Sequence, residues 1–196
     1  MALEAFKMIG EASRLLLEQG FKQEVVTEAL GMVGKAIGVD RVYIFENSHA
    51  PDGSLLANQR FEWAEGSTIA QLDNPELQGV PMDAIAADWV SSLSAGEAVF
   101  GLSKDMSPGT RELLESQQIV SILVCPITLE KKWWGFVGFD DCHSAREWPA
   151  VEVAVLKTLA RALGGSLRHT QMRSTLASAR SQLEQVLEHC ATPTRA

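Results

Sequence analysis

Cysteine is scarce in this chain, with three in 196 residues: Cys125, Cys142 and Cys190. An odd number without metal-ligand spacing excludes a disulfide framework and a cysteine-based zinc site, and points to reduced thiols in a cytoplasmic protein. Histidine is thin as well. Of the four, His49 falls in a turn, His143 in a loop, and His169 and His189 on a helical stretch. No two stand at i and i+4, and no nearby Cys, His, Asp or Glu set has zinc or iron spacing. Long apolar runs are missing: none approaches the roughly 20 residues that a bilayer crossing needs. The first residues, Met1-Ala-Leu-Glu-Ala-Phe-Lys7, have no uninterrupted apolar core for a signal peptide. Positive charge is in deficit, 17 Lys and Arg against 25 Asp and Glu, net −8. With no basic stripe, nucleic acid is excluded as the direct partner. There is no phosphate-cradling glycine motif and no nucleophile elbow. These absences leave an acidic cytoplasmic chain with no membrane partner, long enough for one domain of about 150 residues plus an extension.

What the chain does have is organised around two apolar runs. Ile119–Thr128 is dense in β-branched residues, Leu129-Glu-Lys-Lys132 is a polar break, and Trp133–Phe139 is apolar again with Gly135 and Gly138. This reads as a β-hairpin lying centrally in a sheet covered on both faces. Pro126 has no donor for the ladder and predicts a bulge or an unpaired position. A period of two places Trp133, Gly135, Val137 and Phe139 on one face and Trp134, Phe136, Gly138 and Asp140 on the other.

In chain order, Leu3–Gln19 and about Lys22–Ile37 carry helical apolar spacing and stop at Gly20 and Gly38. Arg41–Glu46 and Gln59–Ala64 read as strands, with Asn47–Asn58 as a turn. In the second strand Phe61 and Trp63 share one face, and Arg60 and Glu62 the other. Glu65–Pro81 is irregular, Asp83–Leu93 a short helix carrying Trp89, Glu97–Gly101 a short strand and Thr110–Gln117 another short helix. After Trp148-Pro149, helix-favouring residues run to about His189, roughly 40 residues or 60 Å. Leu156, Leu159, Leu163 and Ser166 form one stripe. Met172, Leu176, Ala179, Leu183 and Val186 form another in a shifted phase, the change falling between Gly164 and His169. The first half is expected to pack on the sheet, the second to form a parallel coiled coil that makes the chain a homodimer.

The order of elements and several separated stretches resemble the GAF domain of bacterial multidomain sensory proteins, of the type that precedes PAS, histidine-kinase or diguanylate-cyclase modules. The stretches are Gln59-Arg-Phe-Glu-Trp63, Asp73-Asn-Pro-Glu-Leu-Gln78, Gln118-Ile-Val-Ser-Ile-Leu-Val-Cys-Pro-Ile127 and Trp133-Trp-Gly-Phe-Val-Gly-Phe-Asp-Asp-Cys142, continued by Arg146-Glu-Trp148. The likeness covers about residues 3–170. It implies an α+β fold with an antiparallel sheet of five or six strands. The N- and C-terminal helices lie on one face, and short helices and loops roof a pocket on the other. It implies two units, 1–170 as the sensory domain and 171–196 as a coiled-coil linker helix toward a downstream domain missing from this chain. The function implied is a non-catalytic signal-transduction module that binds a small molecule or relays a signal through its terminal helices.

Tyr43, Phe61, Trp63, Trp89, Trp134 and Phe136 are the candidates to line one apolar ligand pocket, with Asp140 as its polar group. Filling of ordinary core competes with that role for each aromatic, and Arg60 and Glu62 read as a solvated face. Arg146 is a candidate partner for Asp140 or Asp141. These residues name no cofactor. Two other readings stay open. One is a ligand-free dimerisation and relay unit whose aromatics fill the pocket. The other is a thiol-dependent reductase similar to the free methionine sulfoxide reductases of this fold, for which Cys125 is the one thiol expected near the pocket. Bilin-binding relatives attach chromophore through cysteine followed by histidine; Cys142-His143 has the letters but follows the final strand.

Overall fold

In the computed structural model, which describes residues 2–66 and 68–191, the chain begins with helices α1 (Ala2–Gln19) and α2 (Gln23–Ile37). Helix α2 stops because Gly38 takes a left-handed backbone, φ 71° and ψ 52°, which glycine reaches without a Cβ clash. Strands β1 (Arg41–His49) and β2 (Leu55–Ala64) follow, longer at their facing ends than expected, so the turn between them is short. The excursion holds β3 (Val80–Pro81), α3 (Met82–Ile85) and α4 (Ala87–Ser94). What reads as one helix from Asp83 to Leu93 is therefore two, broken at Ala86 with φ −141° and ψ 48°. Then come β4 (Val99–Leu102), α5 (Pro108–Ser116), β5 (Ser121–Leu129), β6 (Lys132–Asp141) and α6 (Ala150–Ala191).

The six strands form one antiparallel sheet in the order β3-β2-β1-β6-β5-β4. The β5–β6 hairpin turns on Glu130 and Lys131, both with positive φ (50° and 67°), whose twist matches that of the flanking strands. Pro126 pairs in regular register with Phe136. It lies past Val124, where pairing with β4 ends, so the outer edge of β5 there asks for no donor. The irregularity comes one residue later, between Ile127 and Thr128, where Trp134 is the extra residue on β6. A second shift, between Ile44 and Phe45, makes Arg60 the extra residue on β2.

One face of the sheet, with Val42, Ile44, Leu123, Val137 and Phe139, is buried under α1, α2 and the first half of α6. The other, with Tyr43, Phe45, Ile122, Val124 and Phe136, is roofed by the excursion and α3–α5. Arg146 ties the helical side together. Its Nη1 and Nη2 donate to the carbonyls of Gly38 (2.8 Å) and Ile37 (3.0 Å) at the end of α2, and Nη2 donates to Glu152 Oε1 (2.7 Å) at the start of α6. The guanidinium also stacks 5.0 Å over the Trp148 ring. It meets Asp141 only at 3.9 Å, so Glu152 is its main carboxylate.

Helix α6 runs unbroken through Gly164-Gly165. A Cβ on Gly164 would lie 2.8 Å from the Thr128 carbonyl oxygen, so the bare backbone there serves close packing on β5. Near the end of the packed part, Thr170 accepts from the Phe21 amide at 3.3 Å. From Gln171 to Gln185 every residue is exposed, which begins where the apolar stripe changes phase. Residues 192–196 of the expected linker, and the side chains of Val186 and Cys190, lie outside what the structure describes. None of the described helices is long and apolar enough to cross a membrane.

Candidate functional site

Between the sheet and its roof lies a cavity of about 40 Å³. Its floor comes from β1 (Arg41, Tyr43, Phe45), β2 (Ala57, Gln59, Glu62) and β6 (Phe136, Asp140), and its roof from Leu77, Met82, Trp89, Leu113, Leu114 and Gln117. Glycines shape the floor. A Cβ on Gly138 would overlap the Tyr43 ring, its cross-strand neighbour, so the missing side chain lets that ring lie flat across β6. Phe45 and Phe136 stack with centroids 4.9 Å apart, and Tyr43 meets Phe45 edge-on at 5.6 Å.

The polar part of the floor centres on Arg41, which is 1% exposed. Its Nε donates to Asp140 Oδ2 at 3.2 Å, and Nη2 forms an ion pair with the same oxygen at 3.1 Å. Nη1 donates to the carbonyl of Ile69 and Nη2 to that of Gln117, each at 3.2 Å. One buried cation therefore fastens the excursion and the end of α5 to β1 and β6. Glu62 does the same from β2: its Oε2 accepts from the amides of Gln71 (2.7 Å) and Leu72 (2.9 Å). Burial pushes the Asp140 carboxyl up to about 7, with the Arg41 charge pulling the other way. Burial also raises the Glu62 carboxyl, against its two amide donors and Arg41. Tyr43 is held well above the usual phenol range by burial and by the Asp140 charge beside it.

Three buried polar atoms of the lining lack a well-aligned partner in the protein, Gln59 Oε1, Asp140 Oδ1 and Trp89 Nε1, with the Tyr43 hydroxyl close enough to the Asp140 carboxyl to donate to it. Among the described residues no group of three His, Cys, Asp or Glu side chains converges to hold a metal ion.

Of the seven residues singled out in the sequence, Tyr43, Trp89, Phe136 and Asp140 meet in this cavity. Phe61, Trp63 and Trp134 do not; all three pack against the helix-side core. Phe61 and Trp63 pair across strands with Ile44 and Val42, which face the helices, and Trp63 fills the space left by Gly31 and Gly34 of α2. Trp134 is the extra residue of the β6 bulge, which turns it away from Phe136 and leaves Trp133 on the roof side. Glu62, read as solvated, is 6% exposed and lines the cavity with Gln59 and Arg41. For Arg41 the available signal was a charge opening otherwise apolar strand text; Gln59 and Glu62 lie inside β2 among other polar residues and carry no such mark. Cys125 stands across the sheet from the cavity, in the helix-side core, its thiol pushed up to about 12 by burial. Cys142 packs at the margin of the roof-side cluster and is likewise pushed up to about 12 by burial. Neither supplies a thiolate inside the cavity, which removes the geometric basis of the thiol-reductase reading.

One face of the sheet thus carries helices and the other a roofed cavity with a polar floor. The chain belongs to the GAF domain family, whose sequence profile matches residues 22–167. It is 38% identical over 174 residues to the methanogenesis regulatory histidine kinase FilI of Methanothrix harundinacea, covering 89% of this chain and 20% of that protein. It is 25% identical over 171 residues to the circadian input-output histidine kinase CikA of Thermosynechococcus vestitus, covering 83% of this chain and 23% of that protein. The chain thus spans about a fifth of the length of these curated relatives. The phycoerythrobilin-bound GAF domain of a cyanobacterial phytochrome superposes with a TM-score of 0.69 at 16% identity, over 87% of this chain and 97% of that domain. At that identity the likeness is one of fold.

Proposed function

We propose that the chain is a non-catalytic sensory module that binds a small molecule in the cavity and relays its presence through α6 to a downstream domain of the same polypeptide. The observation that carries this is the shared use of one strand. Phe136 and Asp140 of β6 line the cavity, while Val137 and Phe139, alternating with them, pack in the core that holds Val155, Leu156, Leu159 and Leu163 of α6. A ligand that fits two arrangements of the floor unequally therefore biases the helix. Beyond Thr170 the helix leaves the sheet with Met172, Leu176 and Leu183 exposed, and α1 leaves Leu3, Phe6 and Leu17 exposed. Apolar positions spaced by three, four and seven support a parallel coiled-coil homodimer through the terminal helices. On this reading residues 1–170 sense and 171–196 couple, in a cytoplasmic two-component protein of bacterial type; the histidine-kinase relatives support that kind of output.

Bilins, bound by the cyanobacterial neighbour, do not fit the residues here. The segment roofing the cavity, 65–117, contains no cysteine, and about 40 Å³ holds a few waters rather than a tetrapyrrole. That small volume favours a second reading, a relay and dimerisation unit whose cavity holds only water. Native mass spectrometry together with distances between spin labels at Leu176 and Leu183 tests the proposal. A dimer mass and a label distance that moves on ligand binding are expected. A monomer at high concentration, or a distance that bound ligand leaves unchanged, would sink it.

A further inference from the structure

Resting on the reading of the cavity as a ligand site, we propose that it selects a neutral or cationic molecule about the size of one aromatic ring, bearing N–H or O–H donors, and rejects anions. The unpartnered atoms set the hydrogen-bond pattern. Gln59 Oε1 and Asp140 Oδ1 are acceptors and Trp89 Nε1 is a donor, on side chains 4%, 1% and 6% exposed, lining one cavity. Buried polar groups are almost always paired, so three orphans around one space mark the place of a missing partner. Two acceptors against one donor ask for a ligand with donors and a single acceptor.

Charge decides the sign. The floor holds one cation, Arg41, under the influence of two acids, Asp140 and Glu62. Every nitrogen of its guanidinium already donates, to Asp140, Ile69 and Gln117. An anion entering here would give up its hydration, find no free cation and face two acids. Volume decides the size. At about 10–15 Å³ per water on the same measure, the cavity of about 40 Å³ holds roughly three waters. A cavity of about 150 Å³ takes up benzene, so a single ring is the upper limit and enters only as the roof opens. The flat walls of Tyr43, Phe45 and Phe136 favour such a shape.

Benzamide, benzamidine and benzoate test this, being near-identical in shape and differing in charge and donors. Binding of each to the intact chain is measured by ligand-observed NMR and calorimetry. Benzamide is expected to bind with Kd about 1 mM, as suits nine heavy atoms, benzoate at least about tenfold more weakly, and benzamidine, which has donors but no acceptor for Trp89 Nε1, between the two. Gln59→Leu is expected to weaken benzamide about tenfold. If that variant fails to fold, Trp89→Phe, which removes the indole donor together with part of the ring, is expected to do the same. Benzoate binding as tightly as benzamide overturns the proposal. So does the absence of binding by all three at about 10 mM, which would mean that water alone occupies the space. Benzamide binding without any change in the Leu176 and Leu183 label distances would leave the ligand class standing and sink the relay.

Discussion

Replacing Arg41 by methionine removes the one cation beneath the roof while keeping much of its volume. Asp140 Oδ2 loses a donor at 3.2 Å and a paired charge at 3.1 Å, and the carbonyls of Ile69 and Gln117 lose their donors. Breaking a buried pair by deleting one partner costs about 3–5 kcal/mol, and with Asp140 only 1% exposed solvent does little to soften that. The dependence on pH is the sharper test. Burial raises the Asp140 carboxyl from 3.8 to about 7 even with Arg41 beside it. The native state therefore holds a proton that the unfolded chain has lost, and stability falls as pH rises from about 4 to about 7, then levels off. Without Arg41 the carboxyl stays protonated to higher pH, so the variant goes on losing about 1.4 kcal/mol per unit above pH 7. The parent and Arg41→Met curves should run parallel between pH 5 and 7 and separate between pH 7 and 9. Guanidinium unfolding followed by tryptophan fluorescence reads both. The double variant Arg41→Met/Asp140→Leu should recover most of the loss and abolish the separation. A loss under about 1 kcal/mol, with a gap unchanged from pH 7 to 9, would refute the reasoning.

Gly135→Ala and Gly138→Ala separate two kinds of crowding. The first sets a methyl against the Phe45 backbone carbonyl, the second against the Tyr43 ring; both should lower the unfolding free energy by about 1–3 kcal/mol, Gly135→Ala the more because a ring can swing and a paired strand cannot. Gly138→Ala should also push Tyr43 into the cavity and abolish benzamide binding, a result that titration reads directly. Arg146→Met strands the buried Glu152 and opens the end of α2, for about 3 kcal/mol by chemical denaturation, whereas Arg146→Lys should lose visibly less. His143 is raised above 6.5 by its hydrogen bond to Asp40. The stabilisation from that pair is full below about 6.5 and disappears as pH climbs through the raised value; an NMR titration should show the midpoint fall in Asp40→Asn. The Cys125 thiol, pushed up to about 12 by burial, should resist a disulfide reagent at pH 8 in the native chain and react at once in denaturant. Rapid native-state labelling of Cys125 would contradict the burial seen here.

Much of the fold was legible because its signals are local. The stop of α2 at Gly38, the β5–β6 hairpin around Glu130-Lys131 and the length of α6 each depend on neighbours within a few residues. The convergence of Tyr43, Phe136 and Asp140 also followed from strand text, since the alternation holds on β1 and on β6 beyond its bulge. Trp134 was lost to a single inserted residue, because a slip of one reverses which face a side chain takes. Phe61 and Trp63 were lost to a different cause. Their shared face was plain, but which face the helices cover and which the excursion roofs was not.

The sequence by itself determined which stretches become the long helices and most of the strands, that one hairpin lies inside the sheet, and that the last helix outruns the part packed on the sheet. Those are properties of backbone conformation and of apolar spacing, which short segments carry. Tertiary structure alone decided that Glu62 is buried, that Cys125 stands away from the cavity, and that Arg41 meets an aspartate 99 residues on. Burial and charge pairing depend on what arrives from elsewhere in the chain, and no local pattern of residues specifies the neighbour that comes to rest above it.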